Sequence, residues 1–271
     1  MNDYRFYKFS KINENRLKSL TAGTLWFSCR KQLNDPFDCQ PVIEQAIKNA
    51  VCLSRLTPTQ HAVKLEQLLE LQKQDVIPKR FKVMLDKIGI FSSSYDINKF
   101  QTLLWAHYAD NHKGLCILYE IPFSFLDDPK NIIGISPVTY KENSLSEWFN
   151  SSECQDSITK WLQCINRRLR APHQIGDDGL LDVEEILKKV LTVKSPPWEY
   201  ESEVRIISRR WGSFAVPKSF VKQICFGLQS TEEDINKVRA ALDGYDPKLP
   251  LYKAVRDGSD FGIAYDEISG R

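Results

Sequence analysis

Trp198-Glu-Tyr-Glu-Ser-Glu-Val-Arg-Ile-Ile207 is the stretch that decides the fold class. Polar and apolar residues alternate from Glu201 onward, and a period of two is the signature of a half-buried strand. The pattern predicts a strand over residues 201–208. Glu201, Glu203 and Arg205 would share one face, with Ser202, Val204 and Ile206 on the other. Ser195-Pro-Pro197 stands just upstream and stops any preceding helix. A charged strand face following a helix stop suits the wall of a polar cleft. It equally suits a solvated face with a cross-strand ion pair.

Working outward, the same period recurs in Tyr4-Arg-Phe-Tyr-Lys-Phe9. Further strands are predicted at 24–28, 88–95, 115–121, 131–140, 222–227, 250–255 and 261–265. Helices are predicted at 14–20 and 99–111. Another opens at the capping box Ser230-Thr-Glu-Glu233 and ends at Gly244. Thr57-Pro58-Thr59-Gln60 resembles a further helix start. The helical pattern dominates from about 41 to 87 and again from about 142 to 190, with a break near Pro172 and Gly176. The expected architecture is α+β. It has a mixed, mostly antiparallel sheet and two helical insertions in one domain spanning 1–271.

The bulk numbers exclude several classes. The 271 residues carry a net charge of +2, with 42% apolar and 27% charged residues. This is the composition of an ordinary globular chain, not of a long disordered or strongly basic one. Arg167, Arg168, Arg170, Arg209 and Arg210 form local basic clusters. With the chain near neutral these read as solvated faces, and no strong nucleic-acid signal stands out. No apolar run reaches the roughly 18–20 residues of a membrane span. The N-terminus lacks the apolar core of a signal peptide. The seven cysteines are scattered without a C-x-x-C pair, so reduced thiols in a cytoplasmic protein are expected, with no structural metal.

Two adjacent carboxylates repel, and one can then hold its proton at neutral pH for general acid–base work. Glu201 and Glu203 are therefore catalytic candidates, with Arg205 offsetting their repulsion. His107 falls on the apolar side of its helix, since Phe100, Leu103 and Leu104 precede it at helical spacing. That position suits a core histidine or a catalytic base. Asn34-Asp-Pro-Phe-Asp38 suits a turn, a site-lining loop or two oxygen ligands for a divalent ion. Phe91-Ser-Ser-Ser94 offers hydroxyls near a strand end. P-loop, dinucleotide-fold, zincin and serine-hydrolase motifs do not occur.

Five ordered segments resemble a bacterial family, domain of unknown function 2971. They are Tyr7-Lys-Phe9, Gly23-Thr-Leu-Trp-Phe-Ser28 with the 34–38 turn, and Leu104-Trp-Ala-His-Tyr-Ala-Asp-Asn-His-Lys-Gly-Leu-Cys116. Lys194 with Trp198-Glu-Tyr-Glu-Ser-Glu-Val-Arg205, and Ile224-Cys-Phe-Gly227, complete the set. The resemblance implies a single-domain cytosolic protein and no particular activity. The motif order is also similar to ADP-ribosyltransferases of the Arg-Ser-Glu class, although the serine motif here lacks its threonine. That resemblance implies NAD as the donor and Arg5 or Lys8 as diphosphate anchor. Ser92 or Ser94 would orient the nicotinamide side, Glu203 would stabilise the ribosyl cation, and Glu201 would activate the acceptor. The expected cleft combines the His107 helix, the 34–38 loop and the 201–205 strand, with Asn34, Tyr108, Trp198 and Arg205 contacting substrate. Two alternatives stay open. One is a nuclease holding a divalent ion on Asp35, Asp38, Glu201 and Glu203. The other is a non-enzymatic binding or regulatory module, in phage defence or stress, in which these residues form a buried ion-pair network.

Overall fold

The computed structural model describes residues 3–39, 43–54, 60–73, 76–96, 101–170, 184–258 and 262–268. The chain divides into two compact units, each assembled from separate segments. The first comprises Met1–Phe27, Ile90–Pro137 and Glu199–Arg271, and the second comprises Ser28–Gly89 and Val138–Trp198.

The first unit is built on an eight-stranded sheet. Its strands are β1 (Tyr4–Ser10), β3 (Gly89–Ser94), β4 (Leu115–Ile121), β5 (Ile132–Pro137), β6 (Glu203–Ser208), β8 (Val221–Phe226), β9 (Leu251–Arg256) and β10 (Ile263–Glu267). Their spatial order is β10-β9-β8-β4-β1-β3-β6-β5. β1 runs antiparallel to β4 along its full length, from Tyr4↔Ile121 to Ser10↔Leu115. β8 and β9 are parallel. Two further strands, β2 (Thr24–Phe27) and β7 (Gly212–Ala215), form a separate antiparallel ribbon.

Alternation along the strands sends apolar residues to both sides of the sheet. One cluster gathers Phe6, Phe91, Ile117, Tyr119, Val204, Ile206 and Ile224 from the sheet. It adds Leu20 of α1 (Glu14–Ala22), Ile235 and Val238 of α10 (Glu232–Ala241), and Leu25, Phe27 and Phe214 of the ribbon. The other cluster gathers Phe9, Cys116 and Cys225 beneath Leu104, Trp105 and Ala109. Leu104 and Trp105 belong to α5 (Gln101–Tyr108), and Trp105 meets Phe9 edge-on at 5.1 Å. A sheet covered on both faces requires apolar residues at odd and even positions, which explains the near-continuous burial of β4 and β6.

The second unit is helical. It contains α2 (Ile43–Ser54), α3 (Gln60–Lys73), α4 (Val76–Lys87), α7 (Ser144–Phe149), α8 (Cys154–Arg170) and α9 (Glu184–Leu191). The two helical stretches expected as separate insertions thus form one unit. α6 (Phe123–Leu126) is a single turn in the first unit. The proposed helix start at Thr57–Thr59 and the break near Pro172 and Gly176 lie outside the described residues.

Several boundaries differ from the sequence reading for identifiable reasons. The cap of α10 is Thr231, not Ser230. Thr231 Oγ1 accepts the Asp234 N–H, while Ser230 Oγ donates to the carbonyls of Lys113 and Gly114. α5 ends at Tyr108 because Asp110, Asn111 and His112 all take left-handed φ of 50°, 52° and 68°. β2 falls within the strand expected at 24–28, whereas β7 escaped the sequence reading because it has only four residues, opened by Gly212.

Gly114 and Gly227 lock the left-handed turn against the sheet. A Cβ on Gly227 would lie 2.1 Å from the His112 carbonyl oxygen, and one on Gly114 would lie 2.2 Å from that of Ser10. Backbone cannot rotate aside as a side chain can. Gly227→Ala should destabilise the protein by about 1–3 kcal/mol, the usual cost of overpacking. A denaturant midpoint unchanged from wild type would contradict this close approach.

Candidate functional site

The first unit concentrates its charged groups where β1, β3 and β6 lie side by side. Among the described residues β1 and β3 are joined through the pair Tyr7↔Ser94. The Lys8 ammonium donates to the Ser92 carbonyl at 2.5 Å. Lys8 also lies 5.4 Å from the Phe91 ring centroid. Burial pushes its pKa down to about 8; Arg16 pushes the same way, and attraction to Glu203 and Glu201 opposes it. Lys8 has no ion-pair partner among the described residues. The Ser92 hydroxyl is buried without a hydrogen-bond partner there. An orphaned buried hydroxyl is costly, and it is the kind of group a ligand satisfies.

β3 meets β6 through Tyr95 N–H donating to the Ser202 carbonyl at 3.1 Å, which brings the adjoining Ser94 and Glu203 side by side. Ser94 Oγ itself donates to the Asp96 carbonyl. Glu203 and Arg205, two apart on β6, project on one face and pair through two bonds. Nε meets Oε1 at 2.7 Å and Nη2 meets Oε2 at 2.9 Å. Arg205 is 0% exposed and Glu203 is buried.

Glu201 departs from the expected strand. It closes a 3-10 turn over Pro196–Glu201, and β6 begins only at Glu203. Ser202 between them takes a left-handed φ of 43°, a conformation that costs free energy in a non-glycine residue. That kink breaks the alternation, so Glu201 does not share the Glu203–Arg205 face by strand period. It is reached instead from α5, where the Tyr108 hydroxyl donates to Glu201 Oε1.

His107 is a correction too. It is exposed, because the buried stripe of α5 is Leu104, Trp105 and Ala109 rather than the line through Leu103, which is 40% exposed. Phe100 lies outside the described residues. The His107 ring leans on Tyr200, with centroids 5.9 Å apart. Arg5 is exposed and held by Glu120, its cross-strand partner, at 2.8 Å.

Asn34, Asp35, Asp38 and Trp198 belong to the second unit. Asn34 is exposed there. Asp35 Oδ1 accepts the Phe37 N–H, the local turn bond such a residue favours. Asp38 and Lys194 form an ion pair at 3.6 Å with both side chains almost wholly buried. Lys194 also sits 4.8 Å from the Trp198 ring centroid. The Asp38–Lys194 pair was not legible from spacing, since 155 positions (194 minus 38, less one) separate the two along the chain. Among the described residues no group of three or more His, Cys, Asp or Glu converges as a metal site. No described helix is long and apolar enough to cross a membrane.

Two outcomes test this geometry. Asp38→Ala strands Lys194 in a buried site and should cost about 3–5 kcal/mol; an unchanged melting transition would exclude a structural pair. An ordinary lysine titrates near 10.5 and folded Lys8 near 8. The unfolded chain therefore binds more protons between those values, and the stability contributed here rises with pH across that window. Comparing wild type with Lys8→Met, the difference in unfolding free energy should move in favour of wild type from pH 8 to 10.5; a constant difference would count against the depressed value.

No curated protein and no solved structure matches the chain. Residues 104–206, running from the core of α5 into β6, match the family described as Protein of unknown function (DUF2971).

Proposed function

We propose that the chain acts on NAD, breaking the bond between nicotinamide and ribose and passing the ADP-ribosyl group to an acceptor or to water. The observation that carries this reading is the adjacency of β1, β3 and β6 in the sheet. They bring together Lys8, the serine strand 92–94 and Glu203, with Glu201 on the turn that leads into β6. The roles follow from the surroundings of each group. Lys8 suits the diphosphate better than Arg5, since Arg5 is tied to Glu120. The unsatisfied Ser92 hydroxyl suits a polar edge of the nicotinamide ribosyl moiety. Glu203, pinned by two bonds to Arg205, is preorganised to face the ribose.

In the reaction the glycosidic C–N bond breaks and nicotinamide leaves with its electron pair. Positive charge then develops on the ribosyl ring, where a fixed carboxylate stabilises it more than in the ground state. The acceptor oxygen supplies the pair for the new bond and loses its proton to a base. Glu201, positioned by Tyr108, fills that role.

The burial of the Glu203–Arg205 pair favours a second reading, in which these residues only fix the fold of a binding module. Glu203→Gln separates the two. As an enzyme residue, its loss should lower the rate of NAD cleavage by the folded protein about 10²–10³-fold with little change in NAD affinity. As a structural partner only, its loss should cost about 3–5 kcal/mol of stability with no NAD cleavage to lose. Wild-type protein that neither binds nor cleaves NAD, with a strongly destabilised Glu203→Gln, would end the NAD proposal.

A further inference from the structure

The β4–β8 ladder sets two cysteines opposite each other. Cys116 and Cys225 are register partners, so their side chains share one face of the sheet. The type of pair follows from the backbone bonds beyond the end of the ladder. Gly227 N–H donates to the Gly114 carbonyl, and Gln229 N–H donates to the His112 carbonyl. Hydrogen-bonded pairs recur at every second residue, so Cys116 and Cys225 form the next such pair inward. Their Cα atoms therefore stand about 5.5 Å apart, within the span of about 4.4–6.8 Å that a disulfide bridges. Spacing along the chain hides this, since 108 positions (225 minus 116, less one) separate the two cysteines.

Both are free, buried thiols in one cluster with Phe9 and Trp105. The Gln223 side-chain amide donates to Cys225 Sγ at 3.0 Å. Burial pushes the Cys225 thiol up to about 11 and the Cys116 thiol well above its ordinary range. A neutral thiol is a poor nucleophile, so the covered pair reacts slowly. Part of the cover is Trp105, whose Nε1 donates to the Tyr265 hydroxyl at 3.2 Å. Tyr265 lies on β10, the edge strand beside β9, and terminal elements open before the core does. Once formed, the bond is strained. Side chains of a hydrogen-bonded pair begin with Cβ atoms about 5.5 Å apart, and a disulfide draws them to about 3.8 Å. Strain of this kind makes a disulfide easy to reduce.

We infer that Cys116 and Cys225 are a redox modification site, a pair of thiols that a peroxide converts into a reversible disulfide beneath α5. One thiol gives up its proton and its sulfur attacks an oxygen of hydrogen peroxide. The O–O bond breaks, hydroxide leaves and a sulfenic acid forms. The second sulfur, deprotonated in turn, attacks the first; the S–S bond forms and the S–O bond breaks, again releasing hydroxide. The protein loses two electrons and two protons, and the peroxide gains them as two waters. A thiol such as glutathione reverses the change by exchange. Neither cysteine contributes to the NAD proposal, and the two stand or fall separately.

The test is peptide mass spectrometry of the native full chain after hydrogen peroxide, with remaining thiols blocked before digestion without reductant. Exposed Cys52 gauges the oxidation within the same sample. A peptide linked through Cys116 and Cys225 should accumulate more slowly than Cys52 reacts, and reduced glutathione should return both thiols. Cys116→Ala and Cys225→Ala each remove only a sulfur, and each should abolish the linked peptide while Cys52 reacts as before. No linked peptide long after Cys52 is fully oxidised would overturn the inference. So would either cysteine of the pair reaching the sulfinic acid unlinked, a link that forms only in denatured protein, or a link that glutathione leaves intact.

Discussion

Arg205 is the largest commitment in the sheet. A guanidinium cannot shed its proton, so a fully buried arginine must be met by a carboxylate wherever the chain places it. Glu203 supplies both oxygens from two positions away on the same strand. Much of the surrounding arrangement follows. β6 must start at Glu203, so the chain turns sharply at Ser202 and sends Glu201 towards α5. Tyr108 then needs its place at the end of α5, and the left-handed turn after it returns the chain to β4.

The sheet adapts to a second charge in a different manner. Among the described residues β1 and β3 share the pair Tyr7↔Ser94, and the ammonium of Lys8 donates to the Ser92 carbonyl of β3. This contact leaves a cation and an unsatisfied Ser92 hydroxyl near the carboxylates.

Strands were legible wherever burial follows the sheet period. β4 was read at its observed limits, since Leu115 to Ile121 is uniformly apolar except at its register with Arg5. Helical content was legible too, but the union of two distant helical stretches into one unit was not, because nothing in local periodicity records which helices share a core. His107 was misread because its helix stripe is rotated by one residue, and Leu103 is a poor guide when it is itself exposed. Glu201 was misread because a left-handed serine leaves no mark in composition. The candidate site was half visible: residue types and order are in the sequence, whereas Tyr108 reaching Glu201 and Asp38 meeting Lys194 depend on long-range packing.

The interleaving of the two units also sets the order in which the chain can fold during synthesis. β1 is among the first segments made, yet its long partner β4 follows about a hundred residues later, and the sheet beyond β3 waits for residues after 199. Contacts of such sequence separation are slow to form, since large loops must close before they are rewarded. The helical unit faces a smaller gap, although its own segments flank most of the central strands. A chain arrested before residue 199 therefore exposes the apolar edge and faces of an unfinished sheet, a state prone to aggregation and a natural client for chaperones.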